Sequence, residues 1–249
     1  MPEFNFTKGT IEHHEESIGV DMRPPIDLAL DRQRVQQFYN LVSEKYGNIF
    51  ESLEQRPAGF RITKPVPIPG KARLTIQTFV LHPRGPVFGF PRNAMGIDSF
   101  PWPASINSIV LDCLNILSTQ FPTHRYLRIG KVRNLVFGTG EVECAHVIRT
   151  QFCKGIPAEA GEVVVGWNQA NDQYNIKLNI ESVEQRSLAF GPAGGGIPQR
   201  TGQYGVKVVL DVNNRKMDRS LESEDMAVIL KKADQVYGEE LLGILNGEA

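Results

Sequence analysis

His13-His14-Glu15-Glu16 places two imidazoles beside two carboxylates near the start of the chain. Imidazole and carboxylate together suit zinc or manganese. Side chains on a strand alternate between faces, so only Glu12, His14 and Glu16, or His13 and Glu15, could converge on one ion. A metal centre needs further ligands, and neither His124 nor His146 is placed near the run by anything in the sequence. The simpler reading is a solvated edge strand whose charges discourage edge-to-edge association. No metal site is therefore assigned, and Glu12, His14 and Glu16 are the residues that would carry one.

Other chemistry is thinly written. The chain has no Gly-x-Ser-x-Gly elbow, no Walker lysine loop, no Gly-x-Gly-x-x-Gly and no His-Glu-x-x-His. Gly191 to Gly196 is glycine-rich, but Pro192 and Pro198 lack amide donors, and no helix follows to present its N-terminus to a phosphate. It reads as part of a hairpin loop running to Gly205. Cys113, Cys144 and Cys153 form no Cys-x-x-Cys pair, which fits a reducing compartment and gives no zinc spacing. No catalytic residue and no cofactor are assigned, and the balance tilts away from an enzyme.

Binding is the richer prospect. In the central stretch Arg125 to Phe137, a bulge at Gly130 would let Leu127, Ile129, Val132 and Val136 face a core. Arg128, Lys131 and Arg133 would then line the opposite face. Lys177 and Lys207 would join them if their strands share the sheet, as would Arg73, Gln77, Asn175 and Asn179. Such a face could take an anionic ligand or a nucleic acid strand. Few aromatics accompany it, which weakens base stacking. A net charge of −1 also argues against binding by bulk electrostatics.

These residues need elements to hold them. Thr10 to Arg23 reads as a strand and Asp31 as the N-cap of a helix carrying Val35, Phe38 and Val42. Gly59 to Thr63, among dense prolines, reads as a short edge strand. Lys71 to His82 and Pro86 to Phe90 form a hairpin. A helix from about Ala104 to Phe121 has Ile109, Val110, Cys113, Leu114 and Leu117 on one stripe. In the second half, Glu141 to Phe152 reads as a helix or, nearly as well, a strand. Glu162 to Trp167, Tyr174 to Glu181 and Tyr204 to Asn213 read as strands, and a long helix runs from about Leu221 to Leu245.

Both halves thus run strand, helix, strands, helix. The expected fold is α+β: two pseudo-repeats forming one antiparallel sheet with helices on one face. Lobes of residues 1–124 and 125–249 would make up this sheet, or a single continuous domain. The topology resembles the saddle of the TATA-binding-protein-like fold, a likeness that carries no function.

Pro24-Pro25-Ile26, the strand Arg128-Ile129-Gly130-Lys131-Val132-Arg133-Asn134, and Leu210-Asp211-Val212-Asn213 before the terminal helix resemble a sporadically distributed bacterial family of uncharacterised proteins. Asn213 stands where that pattern has a second acidic residue, and Val132-Arg133 where Arg-Tyr is usual. The resemblance implies the fold and no activity.

With 249 residues, 41% hydrophobic and 22% charged, the chain has the composition of a globular protein. No apolar run reaches membrane-spanning length, and Met1-Pro2-Glu3-Phe4 does not open a signal peptide. The expectation is a cytoplasmic, non-catalytic binding or assembly protein. Its partner would be another protein or a second copy of itself, with nucleic acid the less favoured alternative.

Overall fold

A computed structural model describes the chain apart from residues 1–3, 57–58, 68–73, 94–99, 101, 141, 154–162, 172, 191–195, 216–217 and 249. In chain order the first half gives β1 (Ile11–Arg23), α1 (Arg32–Tyr46), β2 (Ser52–Arg56), β3 (Gly59–Val66), β4 (Leu74–His82), β5 (Gly85–Asn93) and α2 (Asn107–Gln120). The second gives β6 (Arg125–Gly140), α3 (Cys144–Phe152), β7 (Val164–Ala170), β8 (Tyr174–Phe190), β9 (Gly196–Asn214) and α4 (Ser223–Gln235). A π-helical turn, Val236–Glu240, then leads into α5 (Leu241–Asn246).

The nine strands form one antiparallel sheet in the order β2-β3-β4-β5-β1-β6-β9-β8-β7. The first strands of the two halves, β1 and β6, lie side by side at its centre, and each is flanked by the last strand of its own half. The halves contribute five and four strands, so the internal repeat remains an expectation from sequence.

One face of this sheet is apolar and carries the helices. On β1, Ile18, Val20 and Met22 alternate inward, and on β9 Val206, Val208, Leu210 and Val212 do the same. Helix α2 forms because Ile109, Val110, Cys113, Leu114 and Leu117 recur at three-four spacing, and all are buried. A capping box starts α4: the Asp225 carboxylate accepts from the Glu222 amide at 3.1 Å.

The buried residues fall into two clusters. One holds Ile18, Phe79, Phe88, Leu114 and Ile129; the other holds Leu135, Phe137, Ile148, Ile180 and Val208. Helix α4 crosses from one to the other, giving Met226, Ile229 and Leu230 to the first and Ala233 to the second.

Several expectations are corrected. β3 is not an edge strand, because β2, unread in the sequence, lies outside it. The Gly191 to Gly205 loop is mostly strand, since β8 reaches Phe190 and β9 begins at Gly196; residues 191–195 lie outside the described part. Arg73 and Glu162 also lie outside it. Asp31 precedes α1, but its carboxylate takes Arg34 at 3.0 Å rather than a backbone amide. β6 is bulged at Leu127, where Asp21 pairs with Arg128 and Met22 with Tyr126, and is irregular again at Thr139 against β9, while Gly130 pairs regularly with Gly19.

Candidate functional site

The misplaced bulge changes which side chains of β6 face which way. From Ile129 onward, Ile129, Lys131, Arg133, Leu135 and Phe137 are buried under the helices. Val132 and Val136, expected in the core, lie on the uncovered face with Arg128 and Gly130. Lys131 and Arg133 are each 2% exposed, so they cannot belong to a solvent-facing basic row. The physical reason is volume. Ile129, Leu135 and Phe137 bury more apolar surface than Val132 and Val136, and the two cations in phase with them are carried inside.

Those cations are neutralised there. The Arg133 Nε donates to Glu16 Oε1 at 2.9 Å, and Arg92 donates to Glu16 Oε2 through Nε at 3.0 Å and Nη2 at 2.7 Å. Lys131 Nζ donates to Asp234 Oδ1 at 2.6 Å and to Asn107 Oδ1 at 3.1 Å. Arg133 also donates through Nη2 to Asp234 and through Nη1 to the Ala233 carbonyl, the latter at 2.8 Å. Its guanidinium carbon stands 4.6 Å from the centre of the Tyr237 ring. The cluster lies where β6 passes from Ile129 of one core to Leu135 of the other, and where α4 makes the same crossing. It is an ionic seam between two apolar cores.

Its electrostatics follow from burial and charge. Burial pushes the Glu16 carboxyl upward, but Lys131, Arg133 and Arg92 outweigh it and hold the group below the usual carboxylate range. Asp234 is likewise raised by burial and brought net down by Lys131 and Arg133. Burial and the neighbouring Arg133 lower Lys131, despite Glu16 and Asp234. His14 packs on Tyr237, and its Nε2 is buried without a hydrogen-bond partner. Burial lowers its pKa to about 4, with Arg133 and Arg92 adding to the effect and Glu16 opposing it.

The run of histidines and glutamates is therefore divided. Glu16 is held by arginines and His14 lies under the helices, while Glu12 lies over Gly138, where an added Cβ would meet its carboxylate. Among the described residues no three His, Cys, Asp or Glu side chains are grouped to hold a metal ion.

No described helix covers the other face. Arg128, Lys177 and Lys207 lie there, as the sequence suggested, together with Asn175, Asn179 and Gln77. Acidic groups are interleaved with them. Lys207 is ion-paired with Glu181, Lys177 stands opposite Asp211, and Arg128 stands opposite Asp21. Asp211 accepts from Asn213 Nδ2 at 2.9 Å. The face is mixed in charge rather than basic.

At its centre is a cavity of about 550 Å³. Its floor is Gly19 and Gly130, paired across β1 and β6, with Val87 and Val132 beside them. A Cβ at Gly19 would meet no atom within 4 Å, so the missing side chain is part of the hollow. Arg84, Arg128 and Asp21 stand around it, and none of the three makes a side-chain hydrogen bond or ion pair among the described residues. The volume lies within the range of ligand pockets, roughly 300–1,000 Å³.

Sequence reasoning missed both arrangements. The seam had a legible signal: Glu16 is in phase with Ile18, Val20 and Met22, and two cations are in phase with the apolar residues of β6. A buried acid and buried bases on neighbouring strands then call for each other. The cavity had none beyond Gly19 and Gly130, and Gly130 reads from sequence as a bulge rather than as the floor of a hollow.

No family model, curated protein or solved structure matches the chain, so the resemblance carried by the Pro-Pro-Ile and Arg-Ile-Gly segments rests on those motifs alone. Among the described residues no helix is long and apolar enough to cross a membrane.

Proposed function

We propose that this chain is a non-catalytic protein-interaction module that docks a partner protein on the uncovered face of its sheet. The observation that carries the reading is the hollow at the centre of that face. It has an apolar floor, and around it stand Arg84, Arg128 and Asp21, whose side chains are unpaired among the described residues. An apolar centre ringed by charges of both signs is how protein interfaces are built, with a desolvated anchor inside a polar rim. The strongest alternative, nucleic acid, loses Lys131 and Arg133 to the ionic seam, and carboxylates interrupt the cations that remain. A metal-dependent reaction at His13 to Glu16 is less favoured, because Glu16 is engaged by Arg92 and Arg133 and no three possible ligands are grouped among the described residues.

Photo-crosslinking tests the reading. A photoreactive amino acid replaces Val132 on the open face or, as a control, Val228, which is exposed on α4. In cells that make the protein natively, Val132 is expected to yield a discrete protein adduct. That adduct should disappear when Gly19→Leu fills the hollow, and Val228 should not give it. An adduct indifferent to Gly19→Leu would sink the proposal. So would heparin retention abolished by Arg128→Ala, because it would make the face a polyanion site.

A further inference from the structure

The two edges of the sheet are protected very differently. At one end β2 reads Ser52-Leu53-Glu54-Gln55-Arg56, and Glu54 binds Arg56 at 2.8 Å and Arg61 at 2.7 Å. Charges of this kind keep an edge from pairing with another chain. At the other end β7 reads Val164-Val165-Gly166-Trp167-Asn168-Gln169-Ala170 and contains no charged residue. It pairs with β8 through seven consecutive residues without a bulge. Proline and kinks, the other usual guards, are absent from it as well.

This strand is also largely open to solvent, with only Val165 packed against the second core. All of its residues but Val165 are exposed, with Val164 at 63% and Trp167 at 40%. An unguarded, regular, neutral edge carrying an exposed valine and tryptophan has a row of backbone donors and acceptors with no strand to meet them among the described residues.

We infer that β7 is the contact through which two copies of this chain associate, pairing antiparallel across a two-fold axis to join their sheets. A second copy is the occupant the strand itself favours. An antiparallel pair of identical strands is self-complementary, as a two-fold interface requires. With no charge on β7, no like charges face each other in any register. Full overlap of Val164–Ala170 sets its midpoint, Trp167, on the axis, so the two indoles meet under the helix-side edge. Val164 of one copy then faces Ala170 of the other, and Gly166 faces Asn168. The edge is short, so the dimer is reversible and its population follows concentration.

This surface is separate from the hollow on the open face, and each can fail without the other. Sedimentation velocity over a concentration series of the full chain tests it. The wild type should pass reversibly from monomer to dimer. Val164→Lys, at a position exposed in the monomer, should weaken dimerisation at least tenfold. Trp167→Lys and Trp167→Glu should each be monomeric, and an equimolar mixture should recover a dimer, because opposite charges then meet at the axis. Circular dichroism and thermal melting show whether each variant is folded. Should a Trp167 variant fail to fold, Val164→Lys carries the test. Gly19→Leu should dimerise as the wild type does. A wild type that stays monomeric at every concentration overturns the inference, as does a dimer that survives both Val164→Lys and Trp167→Lys.

Discussion

Replacing Glu16 by Gln removes one charge from the seam and almost no volume. Arg92, Lys131 and Arg133 oppose Glu16 and Asp234 in the wild type, so the change leaves three cations facing one carboxylate. Glu16 is 4% exposed, and it accepts from both arginines at 2.7–3.0 Å. In the variant, one of those oxygens becomes an NH₂ pointed at a guanidinium, donor against donor. Removing one partner of a buried ion pair costs about 3–5 kcal/mol, because the remaining charge is left uncompensated. For a chain of this size each kcal/mol lowers Tm by about 2–4 °C, so the melting point should fall by roughly 6–20 °C.

Urea unfolding followed by circular dichroism gives the energy, provided the m-value is unchanged. Arg133→Met completes a double-mutant cycle. The double variant should be less destabilised than the sum of the single variants, by about 1–3 kcal/mol. Asp234→Asn should cost less than Glu16→Gln, since the Asp234 side chain is 37% exposed and water screens it. A Glu16→Gln variant within about 0.5 kcal/mol of wild type would refute the reasoning, since such a change is what surface positions show.

Further expectations concern pH, backbone and packing. His14 titrates near 6.5 when unfolded and about 4 in the fold, so its contribution is complete above pH 6.5 and is lost as pH falls toward 4. A difference of that size is worth ~3 kcal/mol, and His14→Gln should flatten the stability profile between those limits in denaturation at stepped pH. Glu16 acts further down: its contribution is present above the unfolded value of about 4.3 and is lost as pH drops through its depressed folded value. Gly19→Val meets open space in a strand and should leave thermal stability unchanged or raise it by about 0.5–1 kcal/mol. Gly85→Ala should be costly, because Gly85 has φ +139° and its Cβ would stand 2.1 Å from the Val20 carbonyl oxygen. Tyr126→Phe removes the 2.6 Å hydrogen bond to the Leu114 carbonyl and should cost about 0.5–1.5 kcal/mol in urea unfolding, since that carbonyl keeps its helical partner within α2.

Much of the fold was legible because its signals are local. The stripe of α2 and the alternation of β8 and β9 lie within a few residues of sequence, and the structure keeps them. What escaped was nonlocal. Reading Lys131 and Arg133 as solvent-facing followed from assuming that charge seeks water. Their partners are Glu16, 117 residues from Arg133, and Asp234, 101 residues away. Nothing near Arg133 in the chain announces either one. A bulge is similarly invisible: moving it from Gly130 to Leu127 alters no composition, yet it changes which side chains enter the core. β2 was missed because Ser-Leu-Glu-Gln-Arg has neither alternation nor β-branched residues. It is a strand because the edge of β3 is there to pair with.

The ionic seam also has a bearing on how the central strands find each other. Apolar alternation forbids a slip of one residue between β1 and β6, but a slip of two keeps every apolar side chain on its face and goes unnoticed by hydrophobicity. Charge does notice it. Glu16 pairs directly with Arg133, and Ile18 with Lys131. Slipping one way sets Glu16 against Leu135 and the two cations against Ile18 and Val20. Slipping the other way gives Glu16 to Lys131 and leaves Arg133 facing His14. Either misalignment strands a charge in a dry interior, so one glutamate and two cations act as a key that admits a single alignment of the strands joining the halves.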